Sequence, residues 1–148
     1  MIFNIYKTYY DNGVLKEFCK LKNNNKHGEY KKYFNNKCIE IICTYNDGLK
    51  HGKYIEYHKN GKIREECTFL NGIYNGIYKE YYENGILKEK CNFIDGNYEG
   101  NFIEYYPNGK INYESFYKNF KLHGLSKEYS NSGILIKTYN YIDGILID

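Results

Sequence analysis

Four cysteines stand 24 residues apart, at Cys19, Cys43, Cys67 and Cys91, and His27, His51 and His123 each precede a glycine. Thiols and imidazoles in a regular array suggest disulfides or a metal site. Four glutamates on the same spacing, Glu56, Glu80, Glu104 and Glu128, suggest acid–base work by paired carboxylates. Geometry turns all three groups toward structural roles. In a sheet whose unit is two strands, equivalent residues lie ~9.6 Å apart. That exceeds the ~7 Å between Cα atoms that a disulfide tolerates, and zinc–sulfur bonds of ~2.3 Å do not bridge it.

The cysteine column continues as Ser115 and Tyr139, which marks a small, weakly polar packing position. Cys38 stands outside it, on the opposite face. Free thiols in this number suit a reducing compartment. The histidines read as turn-flanking surface residues, and His58 as packing in an aromatic column. A catalytic carboxylate pair would be an exception to its surroundings, whereas these glutamates follow the period, so solvation and pairing with lysine are their expected roles. No phosphate loop, nucleophile elbow or HExxH element occurs. The expectation is a protein that is not an enzyme, with no catalytic residue, no metal ligand and no cofactor.

What positions these residues is a repeat. Gly28, Gly52, Gly76, Gly100 and Gly124 are spaced by 24, as are Tyr9, Tyr33, Tyr57, Tyr81, Tyr105 and Tyr129. A second glycine column (Gly13, Gly61, Gly85, Gly109, Gly133) is interrupted by Lys37, and a third (Gly48, Gly72, Gly96, Gly144) by Asn24 and Phe120. Such a period means stacked structural units. Six registers fit without insertion, at about 4–27, 28–51, 52–75, 76–99, 100–123 and 124–147, within a single repeat domain spanning 1–148. Each holds two turn signals, such as Asn84–Gly85 and Asp95–Gly96, that fit two-residue type I′ hairpins. No helix is expected. The predicted fold is all-β: an elongated, single-layer antiparallel β-meander of tandem 24-residue hairpin repeats, about twelve strands in all, twisted or trough-like.

Turns centred on Asn84–Gly85 and Asp95–Gly96 place Tyr82 opposite Leu87, Glu80 opposite Glu89, Tyr78 opposite Cys91, Phe93 opposite Tyr98 and Cys91 opposite Gly100. Alternation along each strand then collects Tyr78, Tyr82, Leu87, Cys91, Phe93 and Tyr98 on one face, and Tyr54, His58, Ile63, Cys67, Phe69 and Tyr74 in the preceding repeat. The other face is mostly Lys, Glu and Asn, apart from the tyrosine column. Because Cys91 has Tyr78 on one side and Gly100 on the other, the ladder slips two residues per repeat. That slip is a strand tilt of roughly 35°, unless a bulge at the first glycine of the repeat absorbs it.

The 148 residues include 20 tyrosines, 8 phenylalanines, 14 glycines and one proline, a composition of strands and tight turns. Net charge is +3 with both signs interspersed, so the basic stripe of a nucleic-acid binder is missing. No apolar run approaches a membrane span, and "MIFNIYKTYYDNG" lacks the pattern of a secretory leader. An intracellular, cytoplasmic location is expected.

The stretches "GKYIEYHKNGKIREECTFLNG" and "GIYKEYYENGILKEKCNFIDG" resemble the MORN-repeat variant of YwqK-like, antitoxin-type repeat proteins. The resemblance covers about residues 4–147. "GEYKKYFNNKCIEIICTYNDG" lacks the central glycine, and Ser126 and Ser130 stand where aromatics are usual. The resemblance implies an elongated β-sheet used in protein or membrane association. The candidate binding surface is the aromatic face, Tyr54, Tyr78, Phe102, Tyr82, Tyr106, Phe69 and Phe93. Its use depends on whether the rings are self-buried or open. A non-enzymatic scaffold that presents this face to a protein partner is the leading expectation. Alternatives are a membrane-surface or lipid-headgroup module, and a toxin-neutralising partner. The apolar terminus "GILID" offers self-association through terminal strands.

Overall fold

A computed structural model describes residues 3–147; Met1, Ile2 and Asp148, which the 1–148 span includes, lie outside the described residues. The chain is all-β. Its strands are β1 (Phe3–Tyr9), β2 (Leu15–Lys22), β3 (Asn25–Tyr33), β4 (Ile39–Asn46), β5 (Leu49–Tyr57), β6 (Ile63–Leu70), β7 (Ile73–Tyr74), β8 (Gly76–Tyr81), β9 (Leu87–Ile94), β10 (Asn97–Tyr98), β11 (Gly100–Tyr105), β12 (Ile111–Lys118), β13 (Lys121–Leu122), β14 (Gly124–Tyr129), β15 (Leu135–Ile142) and β16 (Ile145–Leu146). The chain divides into two compact units, residues 1–73 and 74–148, with the boundary inside β7.

In the first unit β1 to β6 pair in sequence order as an antiparallel meander. In the second, β8, β9, β11, β12, β14, β15 and β16 follow the same plan, with β10 on β9 and β13 on β12. The two-residue strands are one cause of a count of sixteen where about twelve were expected. β10 and β11 together equal the single strand β5 of the first unit, interrupted at Glu99, and β13 and β14 do the same around His123. Repeats are tied by their turns as well as their ladders. The Gly96 amide donates to the Tyr74 carbonyl at 2.9 Å, and the Gly48 amide to that of Lys26 at 2.8 Å.

The two turns of a repeat differ. At the second, Asp95 and Gly96 have φ of 49° and 79°, the pair of positive values of a type I′ hairpin. Asn24 and Phe120 keep that backbone at φ of 67° and 66°, so the loss of glycine leaves the turn intact. The first turn is not type I′. Among residues 82–86 only Gly85 has positive φ, at 88°. The Gly85 amide donates to the Tyr82 carbonyl at 2.8 Å, and the Tyr82 amide to the Ile86 carbonyl at 2.9 Å. This is the three-residue loop of a type I turn closed by a left-handed glycine. The Asn84 side chain accepts from the Ile86 amide at 2.9 Å, which selects asparagine before the glycine. The extra residue shifts the register, so Leu87 pairs with Tyr81 and not with Tyr82.

The other pairings expected here are found: Tyr78 with Cys91 and Glu80 with Glu89 in this hairpin, and Phe93 with Tyr98 across the next turn. Cys91 does not face Gly100. Glu104 pairs with Glu89 and Ile103 with Lys90, a register that brings Phe102, not Gly100, beside Cys91. The first glycine of the repeat is a bulge that absorbs the two-residue slip, and the tilt inferred from that slip does not follow. In the first unit the result is a straight row, in which Tyr30 pairs with both Cys19 and Cys43, and Tyr54 with both Cys43 and Cys67.

That row is the core. Cys19, Tyr30, Cys43, Tyr54, Cys67 and Phe69 are buried in the first unit; in the second, Cys91, Ser115 and Ser126 are. A tyrosine-bearing strand stands between successive column cysteines. The five thiols are free, Cys38 being exposed. Burial pushes the Cys43 thiol up to about 11 against the opposing pull of Lys50 and Lys26.

Candidate functional site

The aromatic side chains on the cysteine face form a different structure in each unit. In the first, Tyr54 is 5% exposed and Phe69 6%, with their ring centroids 5.6 Å apart and edge to face. The Tyr54 hydroxyl donates to Glu56 at 2.8 Å. Burial, followed by that hydrogen bond, raises the phenol far above its ordinary value. The Lys50 ammonium lies 4.4 Å from the Tyr54 ring centroid and 4.8 Å from that of Phe69. Lys26 repeats the arrangement, 4.4 Å over Tyr30 and 5.5 Å over Tyr45, and also pairs with Glu17 at 3.5 Å. The rings of this unit are therefore covered by lysines of their own chain.

In the second unit the place of Lys26 and Lys50 in the repeat is taken by Tyr74 and Tyr98. Tyr74 stacks on Phe93 at 5.1 Å, and Tyr98 lies 4.8 Å from Phe93, 5.1 Å from Tyr117 and 5.4 Å from Phe102. Tyr78 meets Phe93 edge on at 5.7 Å. Every ring of this array is half-buried, and such offset and edge-to-face contacts stabilise each pair by roughly 0.5–1.5 kcal/mol. Burial pushes the Tyr98 phenol up to about 12, with Glu89 and Cys91 adding to it.

Of the candidate residues, Tyr78, Phe93 and Phe102 come together in this array, while Tyr54 and Phe69 form the buried pair of the first unit. Tyr82 and Tyr106 sit at the entrance of the first-turn loop. Their hydroxyls donate to the backbone carbonyls of Tyr105 and Tyr129, at 2.8 and 2.7 Å. Tyr10 does the same to Tyr33 at 2.8 Å. These phenols join one repeat to the next.

The glutamates lie where sequence reasoning did not put them. Alternation places Glu80, Glu89 and Glu104 on the aromatic face, not the opposite one, and they pair across strands as one row. The Cys91 thiol donates to Glu89 at 3.5 Å, as Cys67 does to Glu65. Glu80 is held by Lys88 at 3.0 Å, the place filled for Glu56 by Arg64 at 2.9 Å. For Glu104 the corresponding residue is Asn112. Burial first, and then Glu80 and Glu104, raise the Glu89 carboxyl above its ordinary range, opposed by the Cys91 thiol and Lys88.

The histidines flank turns: Nδ1 of His27 and of His123 lie 3.4 Å from Asp47 and Asp143, and His51 bonds Asn71 at 3.2 Å. Among the described residues no group of three or more His, Cys, Asp or Glu side chains could hold a metal ion, and no helix is long and apolar enough to cross a membrane. Sequence reasoning missed the two lysines. Reading the column 26, 50, 74, 98 down the repeats would have shown Lys giving way to Tyr between the second and third.

A tandem array of 24-residue antiparallel hairpins, with an aromatic face and bulges at the repeat glycines, defines a β-repeat protein. The MORN repeat variant model matches residues 4–18, 26–47, 50–71, 74–95, 98–119 and 122–143, and the chain belongs to that family. No curated protein matches the chain.

Proposed function

We propose that the protein is a non-enzymatic repeat scaffold whose aromatic face docks a protein partner. The observation that supports this reading most is the ring array of the second unit. Tyr78, Phe93, Tyr98, Phe102 and Tyr117 are contiguous yet only partly buried, and tyrosine-rich, partly desolvated surfaces are the usual sites of protein recognition. Tyr82 and Tyr106 support the array from the loop edge through their bonds to the backbone.

The test is capture of partners from the native host on the intact protein, followed by capture with Tyr98→Ala and Phe102→Ala. Loss of the captured protein, with far-UV circular dichroism unchanged, is the expected outcome. Undiminished capture by both variants defeats the reading.

A further inference from the structure

The two units carry different charge. Residues 1–73 hold 13 basic and 8 acidic side chains, and residues 74–148 hold 8 and 10, so the net charges are +5 and −2. The difference reaches the aromatic face. In the first unit the chain itself shows what these rings accommodate: the Lys26 ammonium sits 4.4 Å over Tyr30 and 3.5 Å from Glu17. At the equivalent places the second unit has Phe102 and Glu89, the lysine being replaced by Tyr98. The carboxylate and the rings remain, and the cation is gone. Glu104, facing Glu89, adds a second carboxylate with Asn112 in place of a lysine across from it.

We propose that the aromatic face of the second unit takes a lysine- or arginine-bearing segment of a partner protein, whose cations lie against Phe93, Tyr98, Phe102 and Tyr117 and reach Glu89 and Glu104. This rests on the reading of the aromatic face as a docking surface and names its occupant. Cations are drawn to ring faces by the quadrupole, more strongly where water is partly excluded. Acidic residues set among the rings select the sign of the partner and speed its approach. The alternating geometry suits an extended segment, because successive strands present a ring pair and a carboxylate on the same side.

The probe is a fluorescein-labelled peptide of alternating lysine and threonine, titrated with the full-length protein by fluorescence anisotropy, beside the same peptide with every lysine acetylated. The lysine peptide is expected to bind, and the acetylated one to bind at least about tenfold more weakly. Glu89→Gln with Glu104→Gln removes the carboxylates. Tyr98→Lys installs the first unit's own cation at a backbone position that accepts lysine in Lys26 and Lys50. Each is expected to weaken binding by about tenfold or more, whereas Glu83→Gln, the same one-unit charge change as Tyr98→Lys but in the first-turn loop, leaves it unchanged.

Equal affinity for the acetylated peptide overturns the proposal; if that binding is lost in Phe93→Ala, the aromatic docking surface stands and only its cationic occupant falls. A loss as large in Glu83→Gln shows diffuse attraction and overturns it too. Self-association of the protein in sedimentation, abolished by Glu89→Gln, assigns the face to a second copy and not to a cationic partner.

Discussion

Lys50 in the first unit and Tyr98 in the second occupy the same place in their respective repeats, and the surfaces around them differ in kind. Lys50 lays its ammonium over Tyr54 and Phe69, both buried. Tyr98 adds a ring to Phe93, Phe102 and Tyr117 and leaves all of them only partly buried. The ladder beneath changes as well: the column Cys19, Cys43, Cys67 of the first unit becomes Cys91 and Ser115 in the second. A long flexible cation closes a single-layer surface by covering it, with its charged head still near water. A planar ring can only extend it. One repeat plan thus yields a sealed face in one half of the chain and an open one in the other.

The largest test of this contrast is truncation of the matched tyrosines. Tyr54→Ala is expected to cost about 3–5 kcal/mol, the usual cost of emptying a buried aromatic site, and half-buried Tyr78→Ala about half as much, since the area returned to water is smaller. Denaturant unfolding of both variants measures it, and equal costs would remove the distinction between the faces.

Next is the column beneath. The Ser115 hydroxyl is buried without a hydrogen-bond partner, and such a group costs about 1–3 kcal/mol. Cysteine loses less on leaving water, so Ser115→Cys should stabilise the second unit by about 1 kcal/mol or more, seen as slower amide exchange in β12. A destabilised variant would show that the serine is preferred there.

Smaller again is the covering cation. Lys50→Met keeps the stem and removes the charge, and should cost about 0.5–2 kcal/mol, with the phenol band of Tyr54 shifting in ultraviolet difference spectra. No shift would mean that the stem alone covers the ring.

The smallest effect is a contrast of sign within the second unit. The Glu89 carboxyl is raised by burial, so its contribution is most favourable below the ordinary carboxylate range and is lost as pH rises through its folded value. Glu89→Gln should therefore stabilise at pH 7 by less than about 1 kcal/mol, given its partial exposure, and change nothing near pH 3. Glu114 is lowered by hydrogen bonds from Tyr129 and Lys127. Its contribution is present above the ordinary carboxylate range and lost as pH falls through its folded value, so Glu114→Gln should destabilise at pH 7 and be neutral in acid. Melting temperatures across this range decide both, and equal signs would contradict the assignment.

The sequence by itself determined the period, the all-β hairpin plan, the pairing of Tyr78 with Cys91 and of Glu80 with Glu89, and the collection of Tyr78, Phe93 and Phe102 on one face. Each follows from local rules: turn residues fix where strands end, and alternation fixes which side chains share a side. Only the tertiary structure decided that Gly85 closes a three-residue loop, because Asn84 and Gly85 suit either turn and the choice depends on bonds such as that of Asn84 to the Ile86 amide. It also decided that the bulges at the repeat glycines cancel the slip, so that Cys43 lies between two tyrosines. That register joins one repeat to the next, and no turn dipeptide encodes it. The glutamate row and the lysines over the rings follow from it, since a side chain as long as that of Lys26 finds its partners only when neighbouring strands are aligned.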